Sequence, residues 1–215
     1  MVLFENFIEE IKSALLLPLP GEAAQYQMAP LGRKQKVLET IRKRKAKASA
    51  VLVLFYPFNN RPHFVLIQRP AYEGVHSGQV AFPGGKREEQ DGSLMQTALR
   101  ETEEEVGIPA DSVEVLGPMT PLYIPPSNFM VDPFLGCVHE RPNFIAEEKE
   151  VEQIIEAPAE LLLDPHLVKK KVIKMSNGFS LKTPYFDVNG YTVWGATAMM
   201  LSELKSILKH TSLST

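Results

Sequence analysis

The sequence is nearly without cysteine: Cys137 is its single thiol. No internal disulfide, CxxC pair or cysteine-based zinc cluster can be built from one residue. It also lacks a run of about 18 apolar residues, the length needed to cross a bilayer as a helix. Its opening, MVLFENFIEEIKSALLLPLPG, has no basic start, and Glu5, Glu9, Glu10 and Lys12 interrupt the apolar residues. That opening does not read as a signal peptide. Strong net charge is absent too: the formal value is −3, which provides no global attraction to nucleic acid or an anionic membrane. These absences lead us to expect a soluble, cytoplasmic protein in a reducing setting, with no nucleic-acid and no membrane partner. Any phosphate site must therefore be local. Cys137 lies in the apolar run VDPFLGCVHE and reads as a small buried hydrophobe without a chemical role.

What is present is an ordinary globular composition, 44% hydrophobic and 23% charged over 215 residues. The length favours one domain with a decorated terminus. We divide the chain into residues 1–32, a helix and connector packing on the core, and residues 33–215, the main domain. Phe4, Phe7, Ile8, Ile11 and Leu15 recur at helical spacing and predict an amphipathic helix over 3–16. Its apolar face needs a cover, either the main core or a second subunit in a homodimer. Residues 17–33 read as a proline-bearing connector. Eight lysines and arginines follow between Arg33 and Lys47, read as a solvated helix face, with a landing patch for a polyanionic substrate as the rival.

AVLVLFYP predicts a buried strand, PFNNRP a turn and HFVLIQR a second strand, together a hairpin. Gly, Ser and Pro crowd residues 74–85 and predict an ordered loop or short strand. VEVLGPM and MVDPFLGCV are two more strands across a proline-containing loop. The acidic segment AEEKEVEQIIEAPAELLL reads partly as strand and partly as a short helix around 158–163. Asn177-Gly178 and Asn189-Gly190 each predict a hairpin turn, and a helix over 195–209 closes the chain. Many hairpins with a few helices indicate an α+β fold on a mixed sheet with helices on its faces.

The segment HSGQVAFPGGKREEQDGSLMQTALRETEEEVGI carries the chemistry. Ser93 and Gln96 match a capping box that starts a helix near Leu94, and Gly107 supplies its left-handed stop. At about 100° per residue, Leu94, Met95, Ala98, Leu99, Thr102 and Val106 form the apolar arc expected to face the sheet. Glu101 and Glu105 stand just beyond one edge of it, about 40° apart, with Glu104 farther out. Like charges at i, i+4 cost about 0.2–0.5 kcal/mol on an open helix. A divalent cation reverses the sign, since carboxylate oxygens are the ligands magnesium prefers. The alternative is a merely glutamate-rich surface. Arg100 on the flank can orient an acid. FPGG, just upstream, uses Gly84 and Gly85 to let backbone groups approach a phosphate or metal. Loop and helix are close enough in sequence to border one cleft, as a metal-assisted phosphoryl reaction requires.

These residues resemble the Nudix family, whose box runs Gly, five residues, Glu, seven residues, Arg-Glu-apolar-x-Glu-Glu-x-Gly-apolar. RETEEEVGI, Arg100 to Ile108, matches its second half, with Thr102 at the usually apolar place. The first half departs: one extra residue separates Gly85 from Arg100, and Gly92 stands where Glu is expected, so Asp91 or Glu89 is left to serve instead. LIQRPAYEGVHSGQVAFPGG resembles the upstream signature of one branch, the coenzyme A pyrophosphatases, with Leu66, Ile67, Arg69, Gly78 and Phe82 to Gly85 in register. The resemblance implies an α/β/α sandwich and metal-dependent hydrolysis of coenzyme A or its derivatives to 3′,5′-ADP and 4′-phosphopantetheine. It implies Mg²⁺ or Mn²⁺ on Glu101 and Glu105, with Glu104 sharing a metal or activating water and a Gly84 or Gly85 carbonyl completing the shell. Glu104, Glu101 and Arg100 form the expected catalytic set, with Glu150 or Glu148 a distal base. Arg69, with members of the Arg42–Lys47 run, is the expected holder of the 3′-phosphate; His76 contacts substrate or makes a structural hydrogen bond. Trp194 and Tyr191 read as core or edge packing rather than an adenine platform. The alternatives are another nucleoside diphosphate derivative, such as ADP-ribose, or a nucleotide-binding regulator without turnover.

Overall fold

The computed structural model describes residues 3–30, 45–71, 77–174 and 180–214. Its longest strand is β1, Lys47–Phe58, apolar at nearly every central position. Continuous apolarity is the pattern of a strand covered on both faces, and the side on which each residue is buried alternates with the period of two. Ala50, Leu52, Leu54 and Tyr56 enter one buried cluster, and Val53 and Phe55 the other. β2 (Arg61–Gln68) returns antiparallel through Asn59 and Asn60. Both have positive φ, 49° and 58°, the mirror-image turn whose twist suits a two-residue hairpin.

The other strands build a mixed sheet of eight around this pair. β3 (Val80–Ala81) pairs with β2, and β4 (Gly84–Lys86) with the first half of β1. β5 (Glu114–Pro118) and β6 (Leu122–Ile124) both pair with β7 (Phe129–Cys137), which runs parallel to β1. β8 (Gln153–Pro158) pairs with β2. A second, antiparallel sheet contains β9 (Val168–Lys174), β10 (Ser180–Val188) and β11 (Tyr191–Val193), with Asn189-Gly190 at the predicted hairpin turn. Asn177-Gly178 lies outside the described residues.

Helices cover both faces of the large sheet, giving the expected α/β/α sandwich. On one side α1 (Phe4–Leu15) buries Phe4, Phe7, Ile8, Ile11 and Ala14 in the same cluster as Val53 and Phe55. Phe7 meets the Phe55 ring edge to face at 5.1 Å. Each fully buried side chain of this kind contributes roughly 1.5–3 kcal/mol, so the chain's own core covers the α1 stripe. Residues 17–33 are more than a connector, because α2 (Gly21–Gln25) interrupts them. Glu203, fully buried, pins it by accepting from Gly21 N–H, Gln25 Nε2 and Thr120 Oγ1. Glu203 belongs to α4 (Gly195–Leu208), which packs beside α1. α3 (Leu94–Val106) lies on the opposite face. Among the described residues no helix is long and apolar enough to cross a membrane.

Candidate active site

α3 begins and ends as its sequence predicts: Ser93 Oγ accepts from Gln96 N–H, and Gly107 closes the helix at φ 75°. Its buried face keeps Ala98, Thr102 and Val106 of the predicted arc and departs from it elsewhere. Met95 is exposed and Leu94 and Leu99 are only half-buried, while Thr97, Thr102 and Glu105 are buried with Ala98 and Val106. Buried polar groups are tolerated when hydrogen-bonded, and these are. Thr97 Oγ1 donates to Asp91 Oδ2 at 2.9 Å and Thr102 Oγ1 to the Ala98 carbonyl at 2.7 Å. The face has turned toward its glutamate edge and carries Glu105 inside the protein.

Glu105, 1% exposed, is met by two donors. Gly84 N–H donates to Oε2 at 2.7 Å and Arg69 Nη2 to Oε1 at 3.0 Å. Arg69 also donates to the Gly84 carbonyl at 2.9 Å, so its guanidinium braces the Gly84 turn against Glu105. These two contacts do not offset the loss of water: burial pushes the Glu105 carboxyl up to about 7, against the pull of Arg69 and Gly84. Burial likewise raises the Glu101 carboxyl, opposed by Arg100. Two acids held in this state favour a cation between them.

The glycines provide the approach. Gly84 has φ 151°, and a Cβ there would stand 2.3 Å from the Ala50 carbonyl oxygen. A Cβ on Gly85 would lie 2.3–2.6 Å from the Glu101 carboxylate. β4 can thus press on β1 and α3 only as bare backbone.

The position left open by the absent box glutamate is filled by Asp91, not by Glu89. Residues 88–91 form a turn in which Glu88 N–H donates to Asp91 Oδ2 at 2.9 Å and Arg87 Nη2 to the Asp91 carbonyl at 3.0 Å. The Asp91 carboxylate then receives Arg100 through Nε and Nη2 at 3.0 and 3.1 Å, a two-pronged pair. Arg100 holds the Asp91 carboxyl well below the usual carboxylate range. The same guanidinium contacts Glu101 at 2.9 Å, Glu104 at 2.9 Å and the Lys86 carbonyl at 3.2 Å.

Glu150 comes from a distant segment for a local reason. The last carbonyls of a helix lack intrahelical donors, and here Glu147 N–H and Ile145 N–H donate to the Glu105 and Val106 carbonyls at 3.1 and 3.0 Å. The chain then turns through Glu147–Val151 and delivers an exposed Glu150 to the helix flank. Glu101, Glu105 and Glu150 each place a carboxylate oxygen within 4.8 Å of the other two. Three oxygen donors of this kind fit a hard divalent cation that keeps waters in its remaining positions. Glu104, 58% exposed, stands outside this trio beside Arg100. Glu148 is exposed and not among the three. His76 and Arg42–Arg44 lie outside the described residues.

Next to Gly84 and Gly85 opens a cavity of about 400 Å³. Phe82, Phe129, Trp194 and Met200 line it, with Arg69 and Lys86 where it adjoins the glutamates. Trp194, read from sequence as packing, is half-buried in this wall. The profile of the NUDIX domain matches residues 46–175, more than half of the chain.

The chain belongs to the Nudix hydrolase family.

Nudix hydrolases use divalent metal ions and act on nucleoside diphosphate derivatives, and the oxygen-rich trio agrees with that chemistry. Similar curated proteins include the Uncharacterized Nudix hydrolase NudL of Salmonella typhimurium, 37% identical over 175 residues that span 80% of this chain and 86% of that one. The protein of the same description from Yersinia enterocolitica is 48% identical over 97 residues, 45% of this chain and about half, 49%, of its own length. Among solved structures, the Nudix hydrolase RenU of M. smegmatis has the same fold, with a TM-score of 0.54 at 16% identity over 75% of this chain and 85% of that chain. A MutT/nudix family protein from Enterococcus faecalis reaches 0.50 at 16% identity, covering 87% and 73%.

Proposed function

We propose that this Nudix hydrolase cleaves the diphosphate of coenzyme A or its derivatives, releasing 3′,5′-ADP and 4′-phosphopantetheine or its acyl form. The observation that carries the reading is the joint placement of two sequence features. Arg69, Phe82, Gly84 and Gly85 of the upstream signature line the cavity beside Glu101, Glu105 and Glu150. In this reading Glu101 and Glu105 hold Mg²⁺ or Mn²⁺ with Glu150. When bound, the cation supplies positive charge for the diphosphate oxygens and acidifies a water molecule. Arg69 keeps Glu105 aimed into the site and Arg100 fixes Glu101 and Glu104. Glu150, with Glu104 the most exposed of these acids, takes the proton from the attacking water. Lys86, next to Gly85 in the cavity wall, meets the departing phosphate.

Incubation of the protein and Mg²⁺ with coenzyme A, acyl-coenzyme A, ADP-ribose and NADH, followed by mass analysis, tests this. Release of 3′,5′-ADP is the expected result. Turnover confined to ADP-ribose or NADH would replace the substrate assignment, and unchanged turnover in Glu101→Gln would remove the metal assignment.

A further inference from the structure

The cavity beside the glutamates has an unusual division of its polar groups. Its wall contains three side-chain hydroxyls, and two are already used within the protein. Ser49 Oγ donates to the Met130 carbonyl at 3.3 Å and Thr197 Oγ1 to the Val80 carbonyl at 3.0 Å. The third, Ser127 Oγ, has no hydrogen-bond partner among the described residues but is itself enclosed, with no surface open to a ligand. Arg69 is turned to Gly84 and Glu105. No aspartate or glutamate lines the cavity among the described residues, and the remaining wall is largely aliphatic and aromatic. A purine is selected by several directed donors and acceptors around its edge, and a site that recognises one leaves such groups free. This wall combines bulk apolar surface, the single amide of Gln79 and a cationic end.

Resting on the coenzyme A reading, we propose that the cavity takes the non-nucleotide half of the substrate, the pantetheine arm, while the adenosine half lies outside it. That arm has a dimethyl-branched apolar segment next to its phosphate and two amides farther along. The methyl groups suit Phe82, Phe129 and Met200, and the phosphate end meets Lys86 at Gly85. Selectivity would then arise from the half that distinguishes coenzyme A from other adenosine diphosphate derivatives.

Trp194 is the single tryptophan and stands in the wall, so its fluorescence reports on the cavity without any need for turnover. Pantetheine and 4′-phosphopantetheine, titrated without metal, are expected to shift or quench Trp194 emission saturably, and 3′,5′-ADP is expected to leave it unchanged. Ala196→Leu, which adds bulk to the wall, should weaken the pantetheine response. The same variant should raise KM for coenzyme A about tenfold, the worth of roughly two buried CH₂ groups, with kcat little changed. A response to 3′,5′-ADP, or none to pantetheine and its phosphate, overturns the proposal. Because this readout involves no hydrolysis, its failure is separable from a failure to release 3′,5′-ADP from coenzyme A.

Discussion

Two clusters in this molecule have ligand spacing that could hold a metal and opposite electrostatics. Glu101, Glu105 and Glu150 come within 4.8 Å of one another, and so do Glu114, Cys137 and His139 on the far side of the sheet. At the second cluster Glu114 is already answered: Lys12 binds one oxygen at 2.8 Å and His139 the other at 2.9 Å, and these contacts pull its carboxyl down. Cys137 is fully buried, and desolvation pushes its thiol up to about 12. At the first cluster burial pushes Glu101 and Glu105 upward despite two arginines. Ligand spacing alone does not select a metal site. The balance of charge separates the two: the second cluster fastens α1 through Lys12, His139 and Glu5, and the first is the one proposed to hold a cation.

That contrast can be broken experimentally, most severely at the acid that is fully answered within the active-site region. Asp91→Ala removes the buried partner of Arg100, which keeps Glu101 and Glu104, and leaves Thr97 Oγ1 and Glu88 N–H without their acceptor; the loss should reach about 3 kcal/mol, and a urea melt should show it at neutral pH. Next in size, Glu101→Gln and Glu105→Gln should each lower turnover with Mg²⁺ by at least about 100-fold, while Glu114→Gln leaves it unchanged in the same assay. Equal losses at all three positions would erase the distinction between the clusters.

A third outcome concerns stability without metal. A carboxyl whose folded-state pKa is raised binds its proton more tightly when folded, so Glu105 favours the fold below its ordinary 4.5 and ceases to do so as pH rises through about 7. Glu105→Gln should therefore stabilise the metal-free protein at pH 8 by about 1–3 kcal/mol, and hardly at all at pH 4. Calorimetry with chelator measures this, and saturating Mg²⁺ should reverse the order at pH 8. The smallest effect belongs to His139. Both its ring nitrogens face carboxylates, at 3.1 and 2.9 Å, which only the doubly protonated ring satisfies. Its pKa is raised by Glu5 and then Glu114, so its contribution is complete below 6.5 and fades as pH climbs through the elevated value. His139→Ala should cost less than about 1 kcal/mol at pH 6 and appear as faster amide exchange in α1.

Much of the architecture was legible because it is written at short range. The stripe Phe4, Phe7, Ile8, Ile11, the run AVLVLFYP and the pair Ser93 and Gly107 each specify an element from within a dozen residues. The i, i+4 glutamates point to the proposed site for the same reason. The turned face of α3 was not legible, because Thr97 and Glu105 are buried by virtue of hydrogen bonds to Asp91 and Gly84, which a pattern of apolar residues does not register. Glu150 was named only as one of two acids; its selection over Glu148 depends on Glu147 and Ile145 capping the end of α3. The cavity was least visible, since Phe82, Phe129, Trp194 and Met200 are far apart in sequence and meet only when α4 closes over the sheet.

Gly85 carries a further consequence for variation at this locus. Every other amino acid has a Cβ, and here that atom would collide with the Glu101 carboxylate, so all missense changes share one lesion whatever their chemistry. A saturation library screened for hydrolysis should return the parent codon family alone at residue 85, while the same library screened only for solubility should be permissive.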